Sequence, residues 1–121
     1  MLRLTLFLAI AALLVSLYAT TKKQSLATWQ NRRAQLVKTL KQQDGKHLVV
    51  VSYGTQHSYH DEWVYNGADI DGAKVVFARA MNGRKNCQLA KYFKFYRIWL
   101  LEVDADESMP ELKPYPLSLC K

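Results

Sequence analysis

His47-Leu-Val-Val-Val-Ser-Tyr53 is a β-branched run that stops at Gly54. Apolar residues in unbroken succession, without polar alternation, belong to a strand covered on both faces. Two further runs have the same character, Lys74-Val-Val-Phe-Ala-Arg79 and Arg97-Ile-Trp-Leu-Leu-Glu-Val103. Between them, beyond the loop Met81 to Lys85, Asn86 is expected to cap a helix through Lys94 with Leu89, Tyr92 and Phe93 inward. A strand, short helix, strand succession from Val75 to Val103 has the length of a right-handed crossover, which predicts that these two strands are parallel neighbours. Upstream, Leu26, Trp29, Leu36, Val37 and Leu40 share one helical stripe between Thr21 and about Gln43, and Asp44-Gly45 ends it. Glu62-Trp-Val-Tyr65 reads as a short strand closed by Asn66-Gly67, with Ala68 to Gly72 making a turn wider than a tight hairpin. Beyond Asp104, Pro110, Pro114 and Pro116 predict an extended, irregular tail. The fold class expected is a small, mostly parallel three- to four-stranded α/β sheet with flanking helices, preceded by one N-terminal transmembrane helix. The chain divides into an anchor or signal-like helix (1–20), a basic amphipathic connecting helix (21–45), the α/β domain (46–105) and the tail (106–121).

The charge is unevenly spread. The net charge is +7, yet His47 to Lys121 carries nine Lys/Arg and nine Asp/Glu, so the excess lies wholly before it. Arg3, Lys22, Lys23, Arg32, Arg33, Lys38, Lys41 and Lys46 hold that excess, against Asp44 alone. Basic charge beside the apolar stretch Leu4 to Ala19 describes a collar at a membrane surface better than a nucleic-acid footprint. At ~1.5 Å per residue that stretch covers about 25 Å, slightly short of a ~30 Å hydrocarbon core. Tyr18, Lys22 and Lys23 then belong at the interface. Leu17 stands where a signal-peptide cut wants a small residue, which favours an uncleaved, single-pass anchor. Counting Lys22, Lys23, Arg32 and Arg33 against Arg3 and the amino terminus places the C-terminal domain in the cytoplasm.

Cys87 and Cys120 permit one bridge, which only an oxidising compartment would keep; at such a separation two free thiols are the commoner outcome. The densest chemistry is His57-Ser-Tyr-His60-Asp61-Glu62. Two imidazoles and adjacent carboxylates can bind a transition metal or act as an acid/base pair, so a small membrane-tethered metal-dependent hydrolase on His57, His60 and Asp61 is the alternative function. His-x-x-His lacks the helical spacing of a zinc-protease helix, however, and polar loop residues more often cap strands. Asp69-x-Asp71 has the spacing of carboxylates that hold a divalent ion, and the commoner use of such a pair in a turn is to cap backbone N–H groups. Glu102, Asp104, Asp106 and Glu107 cluster at the end of the last strand, and Arg79 and Arg97 can pair with acids or an anionic ligand. No phosphate loop, nucleophile elbow or dinucleotide fingerprint is present, and no cofactor or metal is expected.

As a string, His47-Leu-Val-Val-Val-x-Tyr53-Gly54, His57-x-x-His60-x-Glu62-Trp63-Val64-Tyr65-Asn66-x-Ala68-Asp69-Ile70-Asp71, Lys74-Val75-Val76-x-Ala78-Arg79, Tyr92-Phe93, Trp99-Leu100-x-Glu102-x-Asp104 and Pro114-Tyr115 carry a resemblance. Residues from roughly 25 to 116 resemble the soluble C-terminal domain of bacterial polytopic membrane proteins similar to protein-mannosyltransferase-like glycosyltransferases that use lipid-linked sugars. Cys87 and Phe95-Tyr96 depart from that pattern. The resemblance implies a non-catalytic accessory or interaction domain, because the catalytic carboxylates of such enzymes lie in loops among spans that this sequence lacks. It implies a polytopic glycosyltransferase or a lipid-linked glycan as partners, beside the bilayer, which the charge distribution already favours over any nucleic acid. It also makes 4–19 the counterpart of a last span in a longer parent and moves the domain to the periplasmic side of the inner membrane. The surface expected to meet a partner comprises Tyr53, His57, His60, Glu62, Trp63, Asp69, Asp71 and Arg79.

Overall fold

In the structure, a computed structural model, residues 8–18, 28–105 and 109–120 are described. Residues 8–18 form helix α1, followed in order by α2 (Trp29–Gln42), β1 (Lys46–Tyr53), β2 (Val75–Arg79), α3 (Gly83–Tyr92), β3 (Tyr96–Val103), β4 (Leu112–Pro114) and a 3-10 turn at Leu117–Cys120. The sheet order is β2-β1-β3-β4. β1 pairs in parallel with both β2 and β3, and β4 runs antiparallel to β3. The fold is thus a small α/β unit with a mostly parallel four-stranded sheet.

The sheet corrects one expectation: β2 and β3 point the same way but are not neighbours, because β1 lies between them. Its Leu48, Val49, Val50 and Val51 are all buried, so the most apolar strand takes the position with two sheet partners and cover on both faces. Val49 and Val51 face a core with Leu36 and Leu40 of α2, Trp63, Phe77 and Leu101. Leu48 and Val50 face the other, with Val76 and Phe93.

α2 starts where Thr28 accepts a hydrogen bond from the Asn31 amide, and the chain turns into β1 through Gly45, whose φ of 83° suits glycine. Leu36 and Leu40 are buried as the stripe predicts, with Trp29 and Val37 packed beside them. Lys22, Lys23 and Leu26 lie outside the described residues. Arg33 falls on the same stripe, three residues before Leu36 and seven before Leu40, and it is buried. Its Nε donates to the Trp63 carbonyl at 2.8 Å and its NH2 group to the Tyr65 carbonyl at 2.7 Å. The guanidinium lies 3.5 Å from the Tyr65 ring centroid and 4.2 Å from that of Phe77. Burial pulls its pKa down and Tyr65 opposes this; an arginine stays charged regardless.

This cation explains a second correction. Trp63 to Tyr65 is not a strand; its carbonyls go to Arg33 and its amides to Tyr53 and Glu62, so the ladder that would define a strand is replaced by side-chain bonds. Asn66 then bonds both the N–H and the carbonyl of Phe77, each at 2.8 Å, and so covers part of the outer edge of β2. The broad turn expected after Asn66-Gly67 is present at residues 70–72.

α3 is capped by Asn82, which accepts from the Lys85 amide at 3.0 Å. Asn86, expected in that role, is buried instead and pairs with both backbone groups of Met81. Phe93 is buried, but Tyr92 is 68% exposed rather than inward. The tail is more regular than its prolines predict. Leu112–Pro114 joins β3 at the sheet edge, where proline is tolerated, and Cys120 forms a disulfide with Cys87 of α3 across a Cα separation of 5.2 Å.

His47, the second residue of the central strand, is fully buried and accepts at Nδ1 from the Trp99 indole at 3.1 Å. Its Nε2 has no well-formed hydrogen bond among the described residues. Burial first, then the Arg97 and Lys74 charges, pull its pKa below the usual value against an opposing Gln43 backbone contact. It is a neutral core histidine.

α1 presents Leu8, Ile10, Leu13, Leu14, Val15, Leu17 and Tyr18 as exposed side chains. No helix among the described residues is long and apolar enough to cross a membrane. Residues 8–18 alone rise about 16 Å, and the remainder of the expected span, 4–7 and 19, lies outside the described residues.

Candidate functional site

The C-terminal end of β1 builds the one cluster that unites several expected residues. Tyr53, its last residue, donates its hydroxyl to Glu62 Oε1 and accepts from the Trp63 amide at 2.9 Å. Glu62 Oε1 also accepts from the Val64 amide at 2.9 Å, and Oε2 is paired with Arg79 at the end of β2. The Arg79 guanidinium stands 5.0 Å from the Tyr53 ring centroid, and His57 stacks on the same ring at 4.1 Å. One ring therefore carries a cation and an imidazole.

The electrostatics of this cluster are those of a strut. Burial and the hydrogen bond to Glu62 push the Tyr53 hydroxyl up to about 12, so it remains a donor at neutral pH. Burial pushes the Glu62 carboxyl up, but the Tyr53 and Val64 hydrogen bonds and the Arg79 charge outweigh it and hold the group below its usual range. A proton carrier for neutral pH needs a pKa near 7. Tyr53 and Glu62 are driven away from it in opposite directions, and their hydrogen-bonding capacity is taken up by the fold.

The other expected residues scatter. Trp63 is only 1% exposed and belongs to the core, meeting the surface only where it lines the larger of the two hollows described below. His60 is exposed, and its amide is 3.3 Å from the Ser58 hydroxyl. Asp69 accepts from the Gly72 amide at 2.9 Å, the turn-capping role anticipated for it. Asp71 accepts from the Tyr92 hydroxyl at 2.9 Å, and its carbonyl receives Lys46 Nζ at 2.7 Å. Lys46 opens β1 and Tyr53 closes it, so the Asp69/Asp71 turn sits at the opposite end of the sheet, roughly 23 Å of strand away. Among the described residues no three His, Cys, Asp or Glu side chains gather as a metal-binding group.

Two hollows open at this end of the sheet, and His57 borders both. The larger, about 330 Å³, lies beyond the ends of β1 and β3 and is lined by Trp29, Asp61, Glu102, Asp104 and Lys113 among others. The smaller, about 230 Å³, lies over Tyr53, Glu62 and Arg79 with Tyr59 at its rim. Gly54 makes the junction: a Cβ there would collide with the Asp104 carboxylate, which accepts from the Gln56 and Ala105 amides at 3.0 and 2.9 Å. Asp106 and Glu107, expected in the same acidic cluster, lie outside the described residues. Two contributors escaped the sequence reading. Tyr59, 99% exposed, has no periodic context to mark it, and the helical stripe accounts for Trp29 in the sequence although it also walls the cleft.

No protein-family model matches the chain, and neither a curated protein nor a solved structure matches it. Function must therefore be argued from these residues.

Proposed function

We propose that this protein is a membrane-anchored, non-catalytic accessory or interaction domain of a bacterial glycosyltransferase-like membrane system, held by a single N-terminal span with the α/β domain on the periplasmic side. The observation that carries the reading is the outward display of α1: its apolar side chains are exposed, while both cores are filled by α2, Trp63, Phe93 and the sheet. An apolar helix with no place in the core seeks lipid. The Cys87–Cys120 bridge supports the periplasmic side, because thiols in the cytoplasm are kept reduced. This outweighs the charge count, since the positive-inside preference is a bias that neighbouring spans can override. A non-catalytic role accords with Tyr53 and Glu62 being committed to the fold. His57, which borders both hollows, and Tyr59 at the rim of the smaller one, with the exposed His60 close by in sequence, form the surface offered to a glycan or a membrane protein.

Expression of the full chain in bacteria tests this. The protein is expected in the inner-membrane fraction after alkaline extraction, with both cysteines blocked to alkylation until a reductant is added. Recovery in the soluble fraction, or free thiols in freshly quenched cells, would overturn the assignment.

A further inference from the structure

The opposite end of the sheet, where the parallel strands begin, has a different character. At the turn joining α3 to β3, Phe95 is 85% exposed and Tyr92 is 68% exposed. Lys94 Nζ stands 4.8 Å from the Phe95 ring centroid. Lys91 near the end of α3, Lys94 in the turn and Arg97 near the start of β3 are exposed and form no ion pair among the described residues. Strand register brings Lys46 beside Tyr96, with its Nζ 5.4 Å from that ring, and places Lys74 next to the start of β1. Lys46 and Lys74 spend their donors on backbone carbonyls, of Asp71 and Lys41, so their charge is not neutralised by those bonds. Asp44, Asp69 and Asp71 are the acids at this end, fewer than the cations.

From this geometry we infer that the α3–β3 turn is a second membrane contact: Phe95 enters the headgroup boundary of an anionic bilayer while Lys46, Lys74, Lys91, Lys94 and Arg97 meet lipid phosphates. A large ring on the tip of a turn costs solvation when left in water, and cations grouped around it give an anionic surface a reason to cover it. At the opposite end of the domain Asp61, Glu62, Glu102, Asp104 and Glu111 stand with Arg32, Arg79 and Lys113, so that end has no comparable excess of cations. The inference rests on the membrane-bound reading only in bringing this end close to a bilayer. Residues 19–28 have a maximum reach of roughly 35 Å, more than the ~20 Å length of α2, so α1 can enter the membrane while the far end of the domain lies on it.

Hydrogen exchange of the full chain on vesicles tests the contact, with flotation recorded in parallel to report α1 separately. On vesicles of phosphatidylcholine mixed with phosphatidylglycerol, amides 93–97 are expected to exchange more slowly than on phosphatidylcholine alone, with β1 unchanged. Lys94→Gln should lower occupancy of the docked state about fivefold, and Phe95→Ser should abolish the difference with α1 still floating. Equal exchange on both vesicle types, or protection by dextran sulfate in solution but not by anionic vesicles, would overturn the contact, the latter reassigning the surface to a soluble polyanion.

Discussion

α1 and α2 invert what their compositions suggest. α1 is almost wholly apolar and its side chains stand exposed; α2 is rich in charge and amide groups yet supplies Leu36, Leu40 and the Arg33 guanidinium to the interior. The difference lies in what each helix can meet. α2 follows the sheet face closely enough to place a stripe on Val49, Val51 and Leu101, and its cation finds two carbonyls and two aromatic rings that a hydrocarbon side chain would leave unsatisfied. α1 meets neither core. Burial here follows from available partners rather than from hydropathy, and that separates a helix that folds the domain from one that tethers it.

Deleting apolar bulk from each helix should break the symmetry most sharply. Leu40→Ala, at a fully buried position, is expected to cost about 3 kcal/mol in urea unfolding, whereas Leu13→Ala should leave that midpoint unchanged. Arg33→Leu comes next. It retains the stem's packing but strands the Trp63 and Tyr65 carbonyls, and each hydrogen bond to a charged group contributes about 1.5–3 kcal/mol, less the desolvation cost that removing the cation returns. A net loss of about 2 kcal/mol is expected, with faster exchange of amides 63–66 as its local signature.

Two smaller effects follow from ionisation. His47 has a lowered folded pKa, so the unfolded chain binds its proton more readily. Its contribution is complete above the unfolded value of about 6.5 and is lost as pH falls from there toward the folded pKa. Urea midpoints should therefore decline below about pH 6.5, and His47→Leu should flatten that slope while lowering the plateau, because the Trp99 indole loses its acceptor. Glu62, also lowered, acts in a separate window: its contribution is present above about pH 4.3 and lost below it. At neutral pH Glu62→Gln should cost about 1 kcal/mol or less, since the Arg79 pair is largely solvent-exposed.

The three main strands were legible because each is a continuous apolar run with a clear stop, and the end of α2 was legible in Asp44-Gly45. Strand order was not, because the length of the β2-to-β3 connection fits a crossover to a neighbour and one that passes over a central strand equally well. β4 was hidden by its prolines, which exclude the middle of a sheet but not its edge. The charge of Arg33 suggests a basic collar, but its spacing from Leu36 and Leu40 places it inward, and the spacing is the better signal. In the candidate site, Tyr53, His57, Glu62 and Arg79 meet as a group because they lie at strand ends on one side of the sheet. Asp69 and Asp71 are adjacent in the chain to that group and distant in space, since the 54–74 connection runs the length of β1 before β2 begins. Whether a tryptophan such as Trp63 lies in a core or on a surface depends on such long-range placement, which local pattern does not carry.

The most direct test of the division between tether and domain is vesicle flotation of the full chain carrying Leu13→Arg and Leu14→Arg, compared with the unaltered protein, with the unfolding temperature of each recorded alongside. The account predicts that flotation is lost at high salt while the unfolding temperature stays the same. Persistent flotation, or a fall in unfolding temperature showing that α1 belongs to the core, would contradict it.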